Sequence, residues 1–193
     1  MIFEQISVGD MQNFSYLIGD KESREAAIVD PAWELQKILE AAKKHGLNIK
    51  KILITHAHFD HIQCVKELAD TVNARVYIHK EEAAEIKKLG IKNIEVIEDN
   101  ALISIGKIKV KVLHTPGHSA GSVCYLVGNK LITGDTLFVE AIGRTDLPGG
   151  NIKQMRDSLK KLKKLDESIE VYPGHDYGSK PNSTIGHEKK NNP

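Results

Sequence analysis

The sequence predicts a layered α/β or α+β architecture with antiparallel or mixed sheets. Three observations carry this expectation. Short strand-like runs outnumber helical runs along the 193 residues. Helical connections alternate with those strands. Two apolar runs bracket Gly128-Asn129, which reads as a hairpin turn.

Taken in order, Ile2 to Val8 and Asn13 to Ile18 read as strands, and Ala26 to Val29 as a third, stopped by Asp30-Pro31. Leu35, Ile38, Leu39 and Ala42 then recur at helical spacing, with Gly46 where a C-cap belongs. Lys51 to Thr55 is a short apolar run of buried-strand type that ends at His56. Ile62, Val65, Leu68, Ala69 and Val72 share one face of a following helix. Arg75 to Ile78 is a strand and Glu81 to Leu89 a helix. Ala101 to Ile105 and Lys107 to Leu113 are strands on either side of Gly106; the second alternates Ile108, Val110 and Val112 with lysines. Ser122 to Val127 and Lys130 to Thr133 form the hairpin. Asn151 can cap a helix, with Gln154 three residues on and Ile152, Met155, Leu159 and Leu162 as the apolar stripe. Ile169 to Tyr172 is read as the last strand.

The length suits a single domain over 1–193. Hydrophobic residues make up 40% and charged residues 27%, so the chain can bury a core without staples. A net charge of +1 supplies no field for nucleic acid or an acidic membrane surface, and neither is an expected partner. The two cysteines, Cys64 and Cys124, are too few for a disulfide framework and read as reduced thiols. The start, MIFEQISVGD, has no basic segment followed by an apolar run, and no stretch approaches a membrane span. The expected location is cytoplasmic.

Chemistry concentrates in Thr55-His56-Ala57-His58-Phe59-Asp60-His61, directly after an apolar strand. Neutral imidazole and carboxylate are ligands that zinc and iron accept. Four candidates here exceed the three protein ligands of a typical catalytic zinc, so a second metal is plausible. His118 in His114-Thr115-Pro116-Gly117-His118, Asp135 in Thr133-Gly134-Asp135, and His175 in Tyr172-Pro173-Gly174-His175 each follow a strand end beside a Gly or Pro. Together these are five histidines and two aspartates, enough for two metals with open positions.

The ordered set HAHFDH, TPGHS, TGD and YPGH resembles the metallo-β-lactamase superfamily, from the IVDP segment with Asp30 nearly to the C-terminus. The resemblance implies a four-layer αββα sandwich with the site at one edge of two packed sheets. It implies that His56, His58 and His118 hold one divalent metal, that Asp60, His61 and His175 hold the other, and that Asp135 bridges them. Zinc is the first expectation for both, with iron or manganese as alternatives. Two cations roughly 3.5–4 Å apart can share a water, lower its pKa and present a bridging hydroxide. Asp60, His61 and Asp135 are then the catalytic candidates, with Asp60 both ligand and orienter of the nucleophile. Asp30 is either a turn residue before Pro31 or the group that orients a ligand imidazole through its other nitrogen.

Within that superfamily the chain is similar to glyoxalase II, the hydroxyacylglutathione hydrolases, in a short form without their C-terminal helical domain. Gly143-Arg144-Thr145-Asp146-Leu147-Pro148-Gly149-Gly150 resembles their loop over the site, and His175-Asp176-Tyr177 their glutathione-contacting segment. Tyr177 and Arg144 are the substrate-contact candidates, with a plain surface role as the alternative for Arg144. The implied activity is hydrolysis of a small thioester, an S-(2-hydroxyacyl)glutathione first. The alternative is a mononuclear iron persulfide dioxygenase of the same fold, which Gly143-Arg144-Thr145-Asp146 and Ser183 to Glu188 also resemble. His45 is expected to face water, His79 to begin a helix, and His187 to lie in a polar tail. Cys64 is expected in the core. His114 is expected to pack, or else to support a ligand.

Overall fold

Tight turns join only antiparallel strands, whereas parallel neighbours need a long crossover. That rule sorts the first half of the chain. The computed structural model describes residues 1–192. Strands β1 (Ile2–Val8), β2 (Asn13–Gly19) and β3 (Glu25–Val29) follow one another antiparallel. Helix α1 (Leu35–Lys44) then crosses to β4 (Asn48–Leu53). Helices α2 (Phe59–Ile62) and α3 (Val65–Val72) cross to β5 (Arg75–His79), and α4 (Ala83–Lys88) to β6 (Ile94–Ile97). From β3 to β6 the pairing is parallel.

The second half is a meander of β7 (Leu102–Ile105), β8 (Ile108–His114), β9 (Val123–Val127) and β10 (Lys130–Gly134), all antiparallel. The predicted turn at Gly128-Asn129 joins β9 to β10, with Val127 paired to Lys130. A small hairpin of β11 (Leu137–Phe138) and β12 (Ala141–Ile142) follows, then helix α5 (Ile152–Leu162). Strand β13 (Glu170–Pro173) pairs parallel to β10. Strand β14 (Ser183–Thr184) and helix α6 (Ile185–Asn191) end the described chain. The two large sheets run β1-β2-β3-β4-β5-β6 and β14-β13-β10-β9-β8-β7.

Alternating side chains divide the core into three slabs. Leu17, Ile28 and Ile52 face α1, α3 and α4, which present Ile38, Leu68 and Ile86. Tyr16, Ile18 and Val29 point the other way and meet Val110, Val112, Tyr125 and Ile132 between the sheets. Cys124, Leu131 and Val171 pack outward on Met155 and Leu162 of α5 and Ile185 of α6. The order of layers is therefore helix, sheet, sheet, helix, the αββα sandwich that the resemblance implied.

Several local expectations change. The helix foreseen from Ile62 to Val72 is two helices, broken at Gln63-Cys64. Ile152 opens α5 but is 47% exposed, so the buried stripe starts at Met155. Asn151 does cap α5, accepting from the Lys153 and Gln154 N–H groups. Its own N–H goes to Gly117 O at 2.8 Å, so no reciprocal capping box forms. His79 ends β5 rather than beginning a helix, and its buried ring stacks on His114 with centroids 4.0 Å apart. His45 pairs with Glu4 at 2.6 Å instead of facing only water. Cys64 is half-buried at the edge of the α1/α3 layer rather than deep in the core. His187 lies on α6, not in a tail. No helix among the described residues is long and apolar enough to cross a membrane.

Candidate metal centre

Strand direction explains why distant residues meet. Strands β8, β10 and β13 run the same way, because β8 and β10 are both antiparallel to β9 and β13 is parallel to β10. Their C-terminal ends therefore share one edge, and His118, Asp135 and His175 lie just beyond them. The end of β4 in the other sheet meets the same edge and delivers His56, His58, Asp60 and His61. Cross-sheet hydrogen bonds hold the rims together. Val123 N donates to Thr55 O at 2.9 Å, Phe14 N to Gly174 O at 2.8 Å, and the buried Tyr125 hydroxyl to Ile54 O at 2.8 Å.

The site needs close backbone approach at two glycines. Gly134 sits at φ 48, and a Cβ there would lie 2.6 Å from Thr55 Oγ1. At Gly174 a Cβ would lie 2.3 Å from Asp135 Oδ1. A side chain at either position would push the strand end away from the centre.

All seven predicted ligand candidates converge. One set of ligand atoms comes from His56, His58 and His118, and another from Asp60, His61 and His175; within each set the atoms lie within 4.8 Å of one another. Asp135 stands between the sets. Its Oδ1 is 3.3 Å from His61 Nε2, and its Oδ2 is 3.5 Å from His118 Nε2 and 3.4 Å from His175 Nε2. Asp30 also falls within 4.8 Å of His56 and His61. Its oxygens, however, are engaged by Thr55 N at 2.7 Å, Thr55 Oγ1 at 2.6 Å and His61 Nδ1 at 3.1 Å.

The outer ring nitrogens select the tautomers. His61 Nδ1 meets Asp30, His118 Nδ1 meets Arg144 O at 2.8 Å, and His175 Nδ1 meets Met11 O at 2.9 Å. Thr55 Oγ1 donates to Asp30 and so accepts from His56 Nδ1 at 3.0 Å. Each of these four rings thus turns Nε2 inward, while His58 presents Nδ1, 2.8 Å from His118 Nε2. Asp30 thereby contacts His61 directly and reaches His56 through Thr55. Its backbone sits at φ 45, a left-handed conformation that Asp tolerates better than most residues.

The donor set fits divalent metal. Buried His56 Nε2 and Asp135 Oδ1 have no hydrogen-bond partner, although neither atom is exposed. Unpartnered buried polar atoms are costly unless something else satisfies them. A cation seated among inward imidazole nitrogens and carboxylate oxygens satisfies both atoms, and this mixed set suits zinc, iron or manganese.

The two halves differ electrostatically. Burial, then His61, pushes His56 well below the ordinary histidine pKa; burial, then His118, lowers His58. Burial also acts against charge on His61, but Asp135 and Asp30 outweigh it and hold the ring well above the usual value. His175 is likewise opposed by burial yet lifted to about 9 by Asp135 and Asp60. Burial would raise Asp60 and Asp135, but the histidines hold both below the usual carboxylate range.

The carboxylates favour positive charge on His61 and His175, whose Nε2 atoms lie 3.2 Å apart. Metal that takes those atoms must expel the proton charge held there. Loading should therefore release protons, and release them with the Asp60/His61/His175 half rather than with His56 and His58. Calorimetry in buffers of different ionisation enthalpy measures this; no buffer dependence would contradict the assignment.

The centre forms the floor of an open cleft of about 990 Å³. Phe59, Phe138, Ile142, Leu147 and Pro148 give it an apolar wall, and Arg144 and Tyr177 also line it. The Arg144 guanidinium is closed on Asp146 by two hydrogen bonds of 2.7 and 2.8 Å. Tyr177 is 53% exposed, and its ring stacks on His175 with centroids 4.5 Å apart. Sequence reasoning missed three supporting groups. They are Thr55, Asn13, whose Nδ2 donates to Asp60 Oδ2 at 3.0 Å, and the buried Glu82.

Comparison with known proteins agrees with the geometry. The metallo-beta-lactamase superfamily profile matches residues 8–175. PksB of Bacillus subtilis, a probable polyketide biosynthesis zinc-dependent hydrolase, is 37% identical over 90% of this chain and 77% of its own length. A hydroxyacylglutathione hydrolase of Pelagibacter ubique is 34% identical over 93% of this chain and 73% of its own. The crystal structure of ETHE1 from Myxococcus xanthus matches with a TM-score of 0.92 at 34% identity, covering 100% of this chain and 84% of that one. With the sandwich, the ordered motifs and the convergent His/Asp centre in place, the chain belongs to the metallo-β-lactamase superfamily.

Proposed function

We propose that the protein is a dinuclear metal-dependent hydrolase of a small thioester, with an S-(2-hydroxyacyl)glutathione as the substrate class. The observation that carries this reading is the pair of three-residue ligand sets, joined by Asp135, on the floor of an open cleft. The likeness to a hydroxyacylglutathione hydrolase supports the choice of thiol. Zinc is the proposed metal, in keeping with the zinc-dependent relative.

His56, His58 and His118 would hold one ion and Asp60, His61 and His175 the other, with Asp135 shared. When bound, such ions polarise a carbonyl and activate water for attack. The chain's own groups do the rest. Asp60, fixed by Asn13 and held ionised, can accept a hydrogen bond from the attacking water and orient it. No serine or cysteine nucleophile is called for: Cys124 is fully buried, and burial pushes its thiol up to about 11. The apolar wall of Phe59, Phe138, Ile142, Leu147 and Pro148 would shield one side of a bound acyl group from water. Tyr177, stacked on His175 and exposed on the cleft lining, is the proposed polar contact for the thiol arm.

Two variants test the substrate contacts. Tyr177→Phe should raise KM for a glutathione thioester several-fold with little change in kcat, as loss of uniform binding does. An unchanged KM would remove Tyr177 from the substrate site. Asp146→Asn should release the Arg144 fork towards an anionic substrate and lower KM for the same compound. A KM that stays level or rises would show that the pair does not gate recognition.

The reading itself is tested by a paired assay on metal-quantified protein. S-D-lactoylglutathione hydrolysis is measured beside oxygen uptake with glutathione persulfide. Hydrolysis with about two metals per chain is the expected outcome. Oxygen uptake with a single iron per chain would replace it with persulfide oxidation.

A further inference from the structure

We propose that Glu82 is a positioning residue that sets metal affinity at the His56/His58/His118 half of the centre and leaves the other half untouched. The proposal rests on the reading of these histidines as ligands, and goes beyond it by naming the group that holds their two loops in register.

Glu82 immediately precedes α4 and is only 8% exposed. An acidic side chain is rarely buried without partners. Its partners here all come from the loops that carry the histidines. Glu82 Oε2 accepts from Ala57 N at 3.2 Å, and Ala57 stands between His56 and His58. Glu82 Oε1 accepts from Ser119 Oγ at 2.6 Å and from Gly121 N at 3.0 Å. Ser119 directly follows His118, and its N–H donates to Ser122 Oγ at 3.1 Å, which closes the loop on itself.

One carboxylate therefore ties a loop of the first sheet to a loop of the second. Those two loops supply all three imidazoles of one set. Its hydrogen bonds fall on Ala57, Ser119 and Gly121, beside the ligands of this set; Asp60 and His61 follow Ala57 in the same segment but have their own anchors in Asn13 and Asp30. All three donors converge on the two carboxylate oxygens, two on Oε1 and one on Oε2. A glutamine would turn an NH2 towards one donor, and an aspartate would fall short by one methylene. Groups that orient metal ligands typically contribute 10–100-fold in affinity. Glu82 acts through backbone and serine rather than through imidazole nitrogens, but it holds the separation between the His56/His58 and His118 loops.

The test uses cobalt(II) with the full chain. Cobalt d–d absorption distinguishes a low-coordinate, imidazole-rich site from one with more oxygen ligands. Stepwise affinities are measured by chelator competition for wild type, Glu82→Gln and Glu82→Ala. Glu82→Gln keeps the side-chain volume and guards against a failure of the alanine variant to fold. The expected result is a loss of about 10–100-fold confined to the imidazole-rich site in both variants, with the second site within twofold. Equal weakening of both sites, or a lower melting temperature with both affinities unchanged, would overturn the proposal and leave Glu82 as a general structural clamp. Wild-type protein that binds no cobalt at an imidazole-rich site would overturn the ligand reading as well. Because the readout is metal binding, a wrong choice of substrate does not affect it.

Discussion

Asp60→Ala should lower kcat/KM for the thioester by about a thousandfold, the order seen when a preorganised charge-stabilising group is lost. The same variant should keep one tightly held metal. Asp60 belongs to the set with His61 and His175, and His56, His58 and His118 do not depend on it. Asp60 lies on the short α2 and takes no part in strand pairing or in the apolar slabs, so removal leaves the sheets intact, at the modest cost of freeing the buried Asn13 amide. His61→Ala should behave alike, with a larger loss of stability because His61 is fully buried and bonded to Asp30. Steady-state kinetics beside metal analysis decides the matter. Wild-type-like turnover by either variant would exclude a two-metal mechanism.

Asp30 is expected to have the next largest effect, at a distance from the reacting atoms. Asp30→Asn keeps a residue that tolerates φ 45. It replaces one acceptor with an NH2 where Thr55 Oγ1 and His61 Nδ1 both donate. His61 must then move or change tautomer, and Thr55 must turn its hydroxyl, which disturbs His56. Metal affinity should fall about 10–100-fold at both halves of the centre, in contrast to the one-sided loss expected at Glu82. Asp30→Ala adds a stability cost of about 1–3 kcal/mol, since the buried Thr55 N–H loses its acceptor. Chelator competition and thermal unfolding measure the two effects. Unchanged metal affinity in Asp30→Asn would show that Asp30 only shapes the turn before Pro31.

Much of this arrangement was legible in the sequence because its signals are local. Each ligand candidate follows a strand-like run, and imidazoles crowded at His56, His58 and His61 have few uses other than metal. The strands of the sandwich showed in alternation such as Ile108, Val110 and Val112. What stayed hidden depends on tertiary pairing. Strand β6 has the apolar pattern of an ordinary short segment and becomes a strand through its partner β5. Strand β14 is two residues held by β13. Helix α6 reads Ile-Gly-His-Glu-Lys-Lys-Asn, too polar to show a stripe. The one local clue was Thr184, whose hydroxyl accepts from His187 N as an N-cap. Glu82 was illegible for another reason. Glu81-Glu82 looks like any solvated helix start, and only the approach of the Ser119 loop from the other sheet buries it.

Surface ion pairs matter less. Pairs such as Arg75–Glu95 and Lys80–Glu98 are about half exposed on both sides and contribute little each. The buried His/Asp centre is the opposite case. Its charges sit in low dielectric, where loss of one partner leaves another uncompensated. That is why substitutions there are expected to act on metal, stability and turnover together.

The most direct measurement is a titration of metal-free protein with zinc, following bound metal and thioester hydrolysis in the same samples. The expected result is that turnover rises with the second equivalent and levels off at about two per chain, when both ligand sets are filled. Full turnover at one equivalent, or no thioester hydrolysis at two, would contradict a dinuclear thioester hydrolase.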